Sequence, residues 1–487
     1  MSLWRERRSN VALMTVVLMV PVMVSIGLAV DATRLWMVQS RMTAALDAAA
    51  LNGAREITAS GRDADIQNLF WANFRRSDPK SMSGMFGTTV TSFTITPLDA
   101  NTLRLVVAGT LPTTFMQLFG IPTVPVGATN QVARATYGME LSLVLDNTGS
   151  MAGWPIDSVV SSATDLVNIL YGQNDTVPNL FVSVVPFSAE VNIGPANAGW
   201  LAPGSDISPA AYPADSPWMG CVMARAQTGD DFTDATPAQA PFTPFLYPST
   251  SGKYPVTGDN DWLPGKTNER KQHKLPANTA VGPNLGCPNL PVLPLSASRA
   301  LVLATINQMV ANYRGGTFIN LGLQAGWWTL SPKWRGWWGN PTLPLDYNTP
   351  YMRKVIVLMT DGNNDWYDWP DGAPGAGPKP WKNDGDTDYT AYGRLKQNLM
   401  GLANNTQANA TANLNARMSQ MCGIIKQNGI EIYTVLFNHD GVSADTQTLF
   451  QKCASAPDHY FLTPTQAQLR NAFTEIGSQL ANIRLLQ

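Results

Sequence analysis

The sequence is poor in charged residues and in the side chains that most often bind transition metals. Of its 487 residues, 14% are Asp, Glu, Lys or Arg, and the formal net charge is −2. The lack of a basic excess argues against a nucleic-acid-binding protein, and the lack of an acidic excess argues against an acidic disordered tail. The three histidines lie far apart, at His273, His439 and His459. We therefore expect no zinc site.

Cysteine is also scarce. The chain has four, Cys221, Cys287, Cys422 and Cys453, and no two of them form a CxxC motif. Four widely spaced cysteines are typical of two disulfides in an oxidising compartment, and the alternative is that they are buried free thiols. Three pairings are possible, of which Cys221–Cys287 with Cys422–Cys453 is the local one. We favour disulfides because of the membrane segment described next.

A long apolar run lies near the N-terminus. Residues 11–30 carry no charged side chain, and twenty such residues are enough for one helical membrane crossing. Pro21 is tolerated inside such a helix. A cleaved signal peptide is the alternative, but its apolar stretch is usually shorter and no small-x-small cleavage site follows Val30. We interpret the run as an uncleaved anchor.

The residues around the run indicate its direction and its continuation. Arginines before it favour a cytoplasmic N-terminus, although two arginines after it weaken that bias. Residues 32–57 are rich in strong helix formers, and Gly61 is a suitable terminator, so residues 1–60 are expected to form an anchor and stalk helix. The arginines are Arg5, Arg7 and Arg8 before the run and Arg34 and Arg41 after it.

A short motif lies at each end of the apolar run: it begins with Arg7-Arg8-Ser9-Asn10-Val11-Ala12 and ends with Gly27-Leu28-Ala29-Val30-Asp31. A short basic stretch, an Asn-Val-Ala sequence and an apolar run that ends in Gly-x-Ala-x-Asp are also found at the start of another group of proteins. In these features the N-terminus resembles the TadE/TadG-like Flp pilus-assembly proteins. The resemblance implies a single-pass protein of the bacterial inner membrane that contacts pilus or envelope proteins. The run has no Gly followed by Glu, so prepilin-peptidase processing is not expected.

Residues 61–137 have a different pattern. The segments 88–97 and 102–112 carry the β-branched alternation of strands, and the turn residues Pro97-Leu98-Asp99-Ala100-Asn101 lie between them. We expect a small β-rich region.

From residue 138 to 487 the pattern alternates between strands and helices. Short continuous apolar runs are typical of parallel strands that are covered on both faces, and helical periodicities lie between them. This predicts a doubly wound α/β domain with a mainly parallel sheet and with insertions near 195–295, 327–350 and 363–412. The strands are 141–145, 180–185, 355–359 and 432–437, and the helical positions are Val302, Ile306, Met309 and Tyr313, Leu414, Met418, Met421 and Ile425, and Leu469, Phe473, Ile476, Leu480 and Ile483. The last helix is expected to begin with a capping box at Thr463 and Pro464.

Oxygen-bearing side chains follow two of these strands. Asp146, Thr148 and Ser150 follow the first, and Asp361 follows the third. Thr317 lies in a Gly-rich turn before a helix. Ligands bind beyond the carboxyl ends of strands in such sheets, and two carboxylates with three hydroxyls suit a hard cation. We predict a divalent-metal site, with Mg²⁺ favoured over Mn²⁺ or Ca²⁺.

The order of these three loops resembles the von Willebrand factor A domain and its metal-ion-dependent adhesion site. By itself, Asp146-x-Thr148-x-Ser150 is weak, since such a motif arises by chance in about one chain in five of this length. Its position, followed in order by Thr317 and Asp361, is specific. The family more often has Ser where this chain has Thr148. The resemblance implies capture of a protein partner through the metal, and the alternative is a site that is unoccupied or only stabilises the fold.

Enzymatic alternatives have little support. A phosphatase of the haloacid-dehalogenase type would need a second Asp at the position of Thr148. The Gly315-Gly316 loop lacks the Lys of a P-loop. We therefore expect no enzyme. The leading hypothesis is a component of Flp/Tad-type pilus assembly or anchoring. The alternative is an adhesin that contacts host or surface ligands through the metal site and the Trp-rich loops described next.

Two further clusters allow two interpretations each. A group of tryptophans could form an aromatic binding surface or the packing of the insertions themselves. Three aspartates alternate like calcium ligands but do not follow an EF-hand pattern, so a solvated acidic loop is favoured over an ion site. The residues are Trp327, Trp328, Trp334, Trp337, Trp338, Trp366, Trp369 and Trp381, and Asp384, Asp386 and Asp388.

Overall fold

The computed structural model describes residues 3–55, 61–74, 84–98, 102–133, 138–248, 282–312, 314–367 and 387–485. The chain divides into two compact units, with the boundary after residue 136. Each unit has its own hydrophobic core.

The N-terminal unit combines two helices with an antiparallel sheet of order β1-β2-β3. Val38, Met42 and Leu46 of the long helix pack with Phe70 of the second helix and Leu105 of the sheet. The predicted strands lie in β1 and β2, and β3 was not predicted. The elements are α1 (Leu3–Arg55), α2 (Arg62–Phe74), β1 (Thr89–Pro97), β2 (Thr102–Pro112) and β3 (Thr123–Ala133).

Residues 14–30 of α1 are apolar and mostly exposed. Its segment Met14–Ala54 is long and apolar enough to cross a membrane, with a mean hydropathy of 2.1 in its most apolar window. The stalk predicted over 32–57 lies in α1 as far as Arg55, and residues 56 and 57 lie outside the described ranges. The apolar candidate span therefore continues into the packed stalk as one helix.

The C-terminal unit is a mixed α/β structure with a sheet of mostly parallel strands. The sheet order is β13-β12-β10-β4-β5-β6-β7, and β8 also pairs with β5. Pairing is parallel from β13 to β5 and antiparallel for the short strands β6, β7 and β8. The strands are β4 (Gly138–Asp146), β5 (Leu180–Phe187), β6 (Val191–Asn192), β7 (Cys221–Val222), β8 (Leu293–Ser296), β9 (Gly316–Thr317), β10 (Met352–Thr360), β11 (Asp365–Trp366), β12 (Ile430–Leu436) and β13 (Tyr460–Leu462).

Helices cover both faces of this sheet. Because successive strand side chains point to opposite faces, Leu143 and Val357 belong to one core, while Val144 and Leu358 belong to the other. The first core is completed by α3, α4 and α8, and the second by α5, α6 and α7. The helices are α3 (Trp154–Tyr171), α4 (Arg299–Asn307), α5 (Ile319–Leu330), α6 (Gln407–Gln427), α7 (Ala444–Cys453) and α8 (Gln466–Leu485).

Two predicted helix boundaries are wrong. The periodicity predicted a helix to Tyr313, but α4 ends at Asn307, and residue 313 lies outside the described ranges. The last helix was predicted to begin at Thr463. That hydroxyl instead donates to the carbonyl oxygen of Leu436 at 3.3 Å, and Thr465 caps α8 by accepting from the backbone N–H of Gln468 at 3.3 Å.

The insertions form packed structure. The predicted disulfides Cys221–Cys287 and Cys422–Cys453 are both present.

Trp334 is fully buried and stacks on Trp328, with ring centroids 5.1 Å apart. Trp327 and Trp366 are also buried, which supports the packing interpretation over an exposed aromatic surface. Trp369 and Trp381 lie outside the described residues.

The interpretation of a solvated acidic loop is wrong for Asp388. Its side chain is buried and pairs with the buried guanidinium of Arg314 at 3.2 Å. It also accepts the backbone N–H of Gly315 at 3.1 Å, so it holds the Gly-rich turn in place. Asp384 and Asp386 lie outside the described residues.

Candidate functional site

The candidate site lies at the carboxyl ends of two adjacent strands. β4 and β10 run parallel, and Leu145 is opposite Met359. Asp146 at the end of β4 therefore lies at the same edge of the sheet as Thr360 and Asp361 at the end of β10. This is the edge at which parallel sheets bind ligands.

Asp146 lies fully buried at the base of the site. One carboxylate oxygen accepts the backbone N–H of Thr148 at 2.8 Å. The other accepts the hydroxyl of Thr360 at 2.5 Å, which joins β4 to β10 through side chains. These bonds hold the carboxylate in one orientation.

The hydroxyls of the first loop face Asp361. Ser150 Oγ donates to Asp361 Oδ1 at 2.8 Å and lies 3.0 Å from Thr148 Oγ1. A short 3₁₀ turn over Gly149–Met151 brings the two hydroxyls to the same side of the loop. Two of the predicted loops therefore meet through their side chains.

Thr317 reaches the site through a short antiparallel pairing. β9 pairs with β11, with Thr317 opposite Asp365 and Gly316 opposite Trp366. Gly316 has a φ of +124°, and a Cβ there would lie 2.2 Å from the carbonyl oxygen of Asp365, so only glycine fits. Thr317 Oγ1 lies 3.3 Å from where a Cβ on Gly362 would be, which places it beside the Asp361 loop.

An open recess of about 360 Å³ connects these loops. Thr148, Ser150, Thr317 and Asp361 all line it, and Asp146 is buried outside its lining. Arg314 also lines the recess, and its charge is paired with Asp388. Four of the five predicted residues therefore share one solvent-accessible space.

Two buried carboxylates close together are electrostatically unfavourable. Burial and the neighbouring charge of Asp361 raise the pKa of Asp146 to about 7. A bound cation would remove this repulsion, so the residues fit a divalent metal. Among the described residues no group of three or more His, Cys, Asp or Glu side chains forms a metal cluster. Here hydroxyls would supplement two carboxylates, which suits a hard cation that retains water.

His439 is a site residue that the sequence analysis missed. Its Nε2 lies 2.9 Å from Asp361 Oδ2, and this hydrogen bond raises the pKa of His439. The ring also contacts Trp154 edge to face, with centroids 5.3 Å apart. The available signal was its position just after β12, the strand that pairs with β10 on the side away from β4.

Comparison with protein families concerns the N-terminal helix. A family model described as Flp pilus-assembly TadE/G-like matches residues 10–56. A search of the curated proteins finds no significant match.

Comparison with solved structures finds weak likenesses to several proteins. The vWF domain of the type V pili tip protein Mfa5 from Porphyromonas gingivalis is 12% identical, with 72% of this chain and 97% of that chain covered and a TM-score of 0.36. The pilus adhesin SpaC from Lactobacillus rhamnosus GG is 10% identical, with 84% and 36% covered and a TM-score of 0.34, so this chain spans about a third of its length. Proximal thread matrix protein 1 from the mussel byssus, with a zinc-occupied MIDAS motif, is 11% identical, with 72% and 48% covered and a TM-score of 0.30. Likeness of this degree assigns no function to this chain.

Proposed function

We propose that this chain is a non-enzymatic, membrane-anchored component of Flp/Tad-type pilus assembly or anchoring. In this proposal α1 crosses the bacterial inner membrane once, and the body of the protein lies outside the cytoplasm. The C-terminal unit is a doubly wound domain of the von Willebrand factor A type. It binds a protein partner through a divalent cation at the recess.

The observation that carries the metal site is the meeting of three separate loops at Asp361. Ser150 donates to its carboxylate, Thr317 lies beside its loop, and Asp146 is the second carboxylate. Thr148, Ser150, Thr317 and the two aspartates would hold the cation directly or through water. A cation held by an incomplete protein shell can accept a carboxylate oxygen from a partner.

The sheet order supports the A-type assignment. Five parallel strands in the order β13-β12-β10-β4-β5 place the first strand of the unit in the interior of the sheet, with helices on both faces. Asp146 follows that interior strand. In a sheet of this kind, the ends of such interior strands form the binding crevice.

The pilus role has its support at the N-terminus. The TadE/G-like match covers residues 10–56, and this segment includes the apolar part of α1. Its exposed apolar side chains, such as Leu18 at 65%, need a lipid environment. The two disulfides fit an extracytoplasmic location.

Calorimetric titration of the full-length protein in detergent with Mg²⁺, Mn²⁺ and Ca²⁺ tests the metal site. We expect saturable binding that Asp361→Asn abolishes, because the variant keeps an acceptor oxygen but loses the charge. The matched control is Asp65→Asn, which makes the same change at an exposed position on α2. If no cation binds the wild-type protein, the adhesion mechanism is lost.

The second candidate is an adhesin that acts on host or surface ligands. Of the eight tryptophans expected to form its contact face, four are buried, two are half-buried and two lie outside the described residues. Trp154, by contrast, is 51% exposed and contacts His439 beside the site. An exposed Trp next to a charged recess is a common centre for protein binding. Deletion of the gene separates the two candidates: loss of pili supports assembly, whereas intact pili that no longer attach support adhesion.

A further inference from the structure

The connection between β2 and β3 exposes an unusual amount of apolar surface. We call residues 113–122 the tip loop. Within it Leu118 is 76% exposed, Phe119 59%, Ile121 43% and Phe115 39%. The ten residues include no charged side chain. Contiguous exposed apolar side chains of this size usually mark a surface that another phase or molecule covers.

Hydrogen bonds hold the tip loop in one conformation. Thr113 N donates to the carbonyl oxygen of Pro122 at 3.0 Å, which closes its base. Ile121 N donates to Met116 O at 3.1 Å across the 3₁₀ turn of residues 116–119, and Gly120 ends that turn with a φ of +81°. Exposure of the apolar side chains is therefore a feature of an ordered loop.

Asp31 attaches this loop to α1. Its carboxylate accepts three consecutive backbone N–H groups, from Thr114 at 2.9 Å and from Phe115 and Met116 at 2.8 Å each. Arg34 lies 3.6 Å from the same carboxylate. Asp31 is the first residue after the apolar run 11–30, so the loop is held at the end of the segment that would cross the membrane.

Phe115 makes a second contact one helical turn earlier. A Cβ at Gly27 would lie 2.7 Å from Phe115 Cγ, so the ring packs directly on the bare backbone of the helix. Gly27 belongs to the apolar run, and its neighbours Ile26 and Leu28 are 60% and 42% exposed. The apolar side chains of the tip loop are thus continuous with the apolar surface of α1.

We propose that the tip loop inserts into the outer interfacial layer of the membrane as a second anchor. The inference rests on the proposed membrane crossing of α1. The occupant is lipid, because the loop adjoins the end of a segment of membrane-spanning length, carries no charge and presents two aromatic rings. Aromatic and aliphatic side chains on an uncharged turn suit the zone between headgroups and acyl chains. With both the tip loop and α1 held in the membrane, the N-terminal unit could no longer rotate freely about the axis of α1.

Depth measurements on the full-length chain test the proposal. All four cysteines are in disulfides, so an introduced cysteine is a unique labelling site. Leu118→Cys would carry an environment-sensitive fluorophore in vesicles of phosphatidylcholine and phosphatidylglycerol. Thr96→Cys, an exposed position near the opposite end of the same sheet, is the water-facing control, and Val17→Cys reports on the crossing itself. Phe119→Cys is a second reporter in case a label at 118 disturbs the loop.

We expect the labels at 118 and 119 to be quenched by nitroxide lipids and shielded several-fold from aqueous iodide relative to the label at 96. If the labels at positions 118 and 119 respond as the label at position 96 does, while the label at position 17 is quenched by nitroxide lipids, insertion of the tip loop is contradicted and the membrane crossing of α1 is supported. If the label at position 17 also responds as the label at position 96 does, the proposed membrane crossing of α1 is contradicted. The labels at positions 118 and 119 could instead be shielded from iodide without being quenched by nitroxide lipids. If this shielding increases with the density of protein in the vesicles, a second copy of the chain covers the tip loop, and the proposal is wrong.

Discussion

Ser150 Oγ donates a hydrogen bond to Asp361 Oδ1 at 2.8 Å, although the two residues are 211 positions apart. The bond joins the loop after β4 to the loop after β10. Asp146 lies behind it, and burial together with the charge of Asp361 raises the pKa of Asp146 to about 7. A cation bound between the two carboxylates would remove their repulsion, so cation binding should stabilise the folded protein.

Asp361→Asn should lower stability mainly when metal is present. In EDTA we expect an unfolding midpoint close to that of the wild type, because the variant removes the repulsion between Asp361 and Asp146 but also removes the charged acceptor of His439. With Mg²⁺ at 100 times its Kd, the wild type should gain about 2.7 kcal/mol and the variant nothing. Thermal unfolding followed by circular dichroism measures both, with Asp65→Asn as control. A variant that still gains stability from Mg²⁺ would exclude Asp361 as a ligand.

Glu190 should make the protein less stable as pH rises. Its side chain is fully buried, one oxygen has no hydrogen-bond partner among the residues that the structure describes, and burial raises the pKa well above its usual value. The folded state therefore binds the proton of Glu190 more tightly than the unfolded state does. The contribution of this proton to the free energy of unfolding is fully present below a pH of about 4.3, and it is lost as the pH rises toward the pKa of Glu190 in the folded protein. Glu190→Gln should raise the unfolding midpoint at pH 8 and change little at pH 4.

The matched control for this variant is Glu475→Gln, an exposed position on α8. It should leave the pH profile of the unfolding midpoint as in the wild type. If Glu190→Gln shifts the midpoint equally at both pH values, the effect comes from packing and the assigned cause is wrong.

The buried ion pair of Glu140 and Lys354 should be costly to break from one side. Lys354 donates to Glu140 and to the carbonyl oxygen of Leu330, and Glu140 also accepts the backbone N–H of Leu345 at 2.7 Å. Lys354→Met leaves a buried carboxylate without its partner, which should cost roughly 3 to 5 kcal/mol. Urea unfolding of this variant, of Glu140→Leu and of the double variant measures the coupling. The double variant should lose much less than the sum of the single variants, and a strictly additive loss would contradict the pairing.

The Cys422–Cys453 disulfide should contribute measurably to stability. It joins α6 to α7 across 31 residues, and closing a loop of that length restricts the unfolded chain by roughly 3 to 4 kcal/mol. Replacing both cysteines by Ala should lower the midpoint of urea unfolding accordingly. The double replacement at Cys221 and Cys287 is the companion test, and equal stability of both variants with the wild type would contradict a structural role.

Much of the fold could be read from local patterns. The apolar runs predicted β4, β5, β10 and β12 because a strand covered on both faces must be apolar at nearly every position. Their carboxyl ends predicted where polar side chains would gather, and four of the five predicted residues line one recess. The helix starts were less certain, since Thr463 and Thr465 both look like caps and only the contact of Thr463 with Leu436 distinguishes them.

The sequence by itself determined the parts whose physical cause is local: the apolar helix, the covered strands, and the oxygen-rich loops at their ends. Only the tertiary structure decided which side chains meet across long separations. His439 reaches Asp361, Asp388 neutralises Arg314, and Asp31 holds the tip loop. Each of these contacts joins segments at least 74 residues apart, and no local periodicity encodes them because they depend on which strands and helices become neighbours.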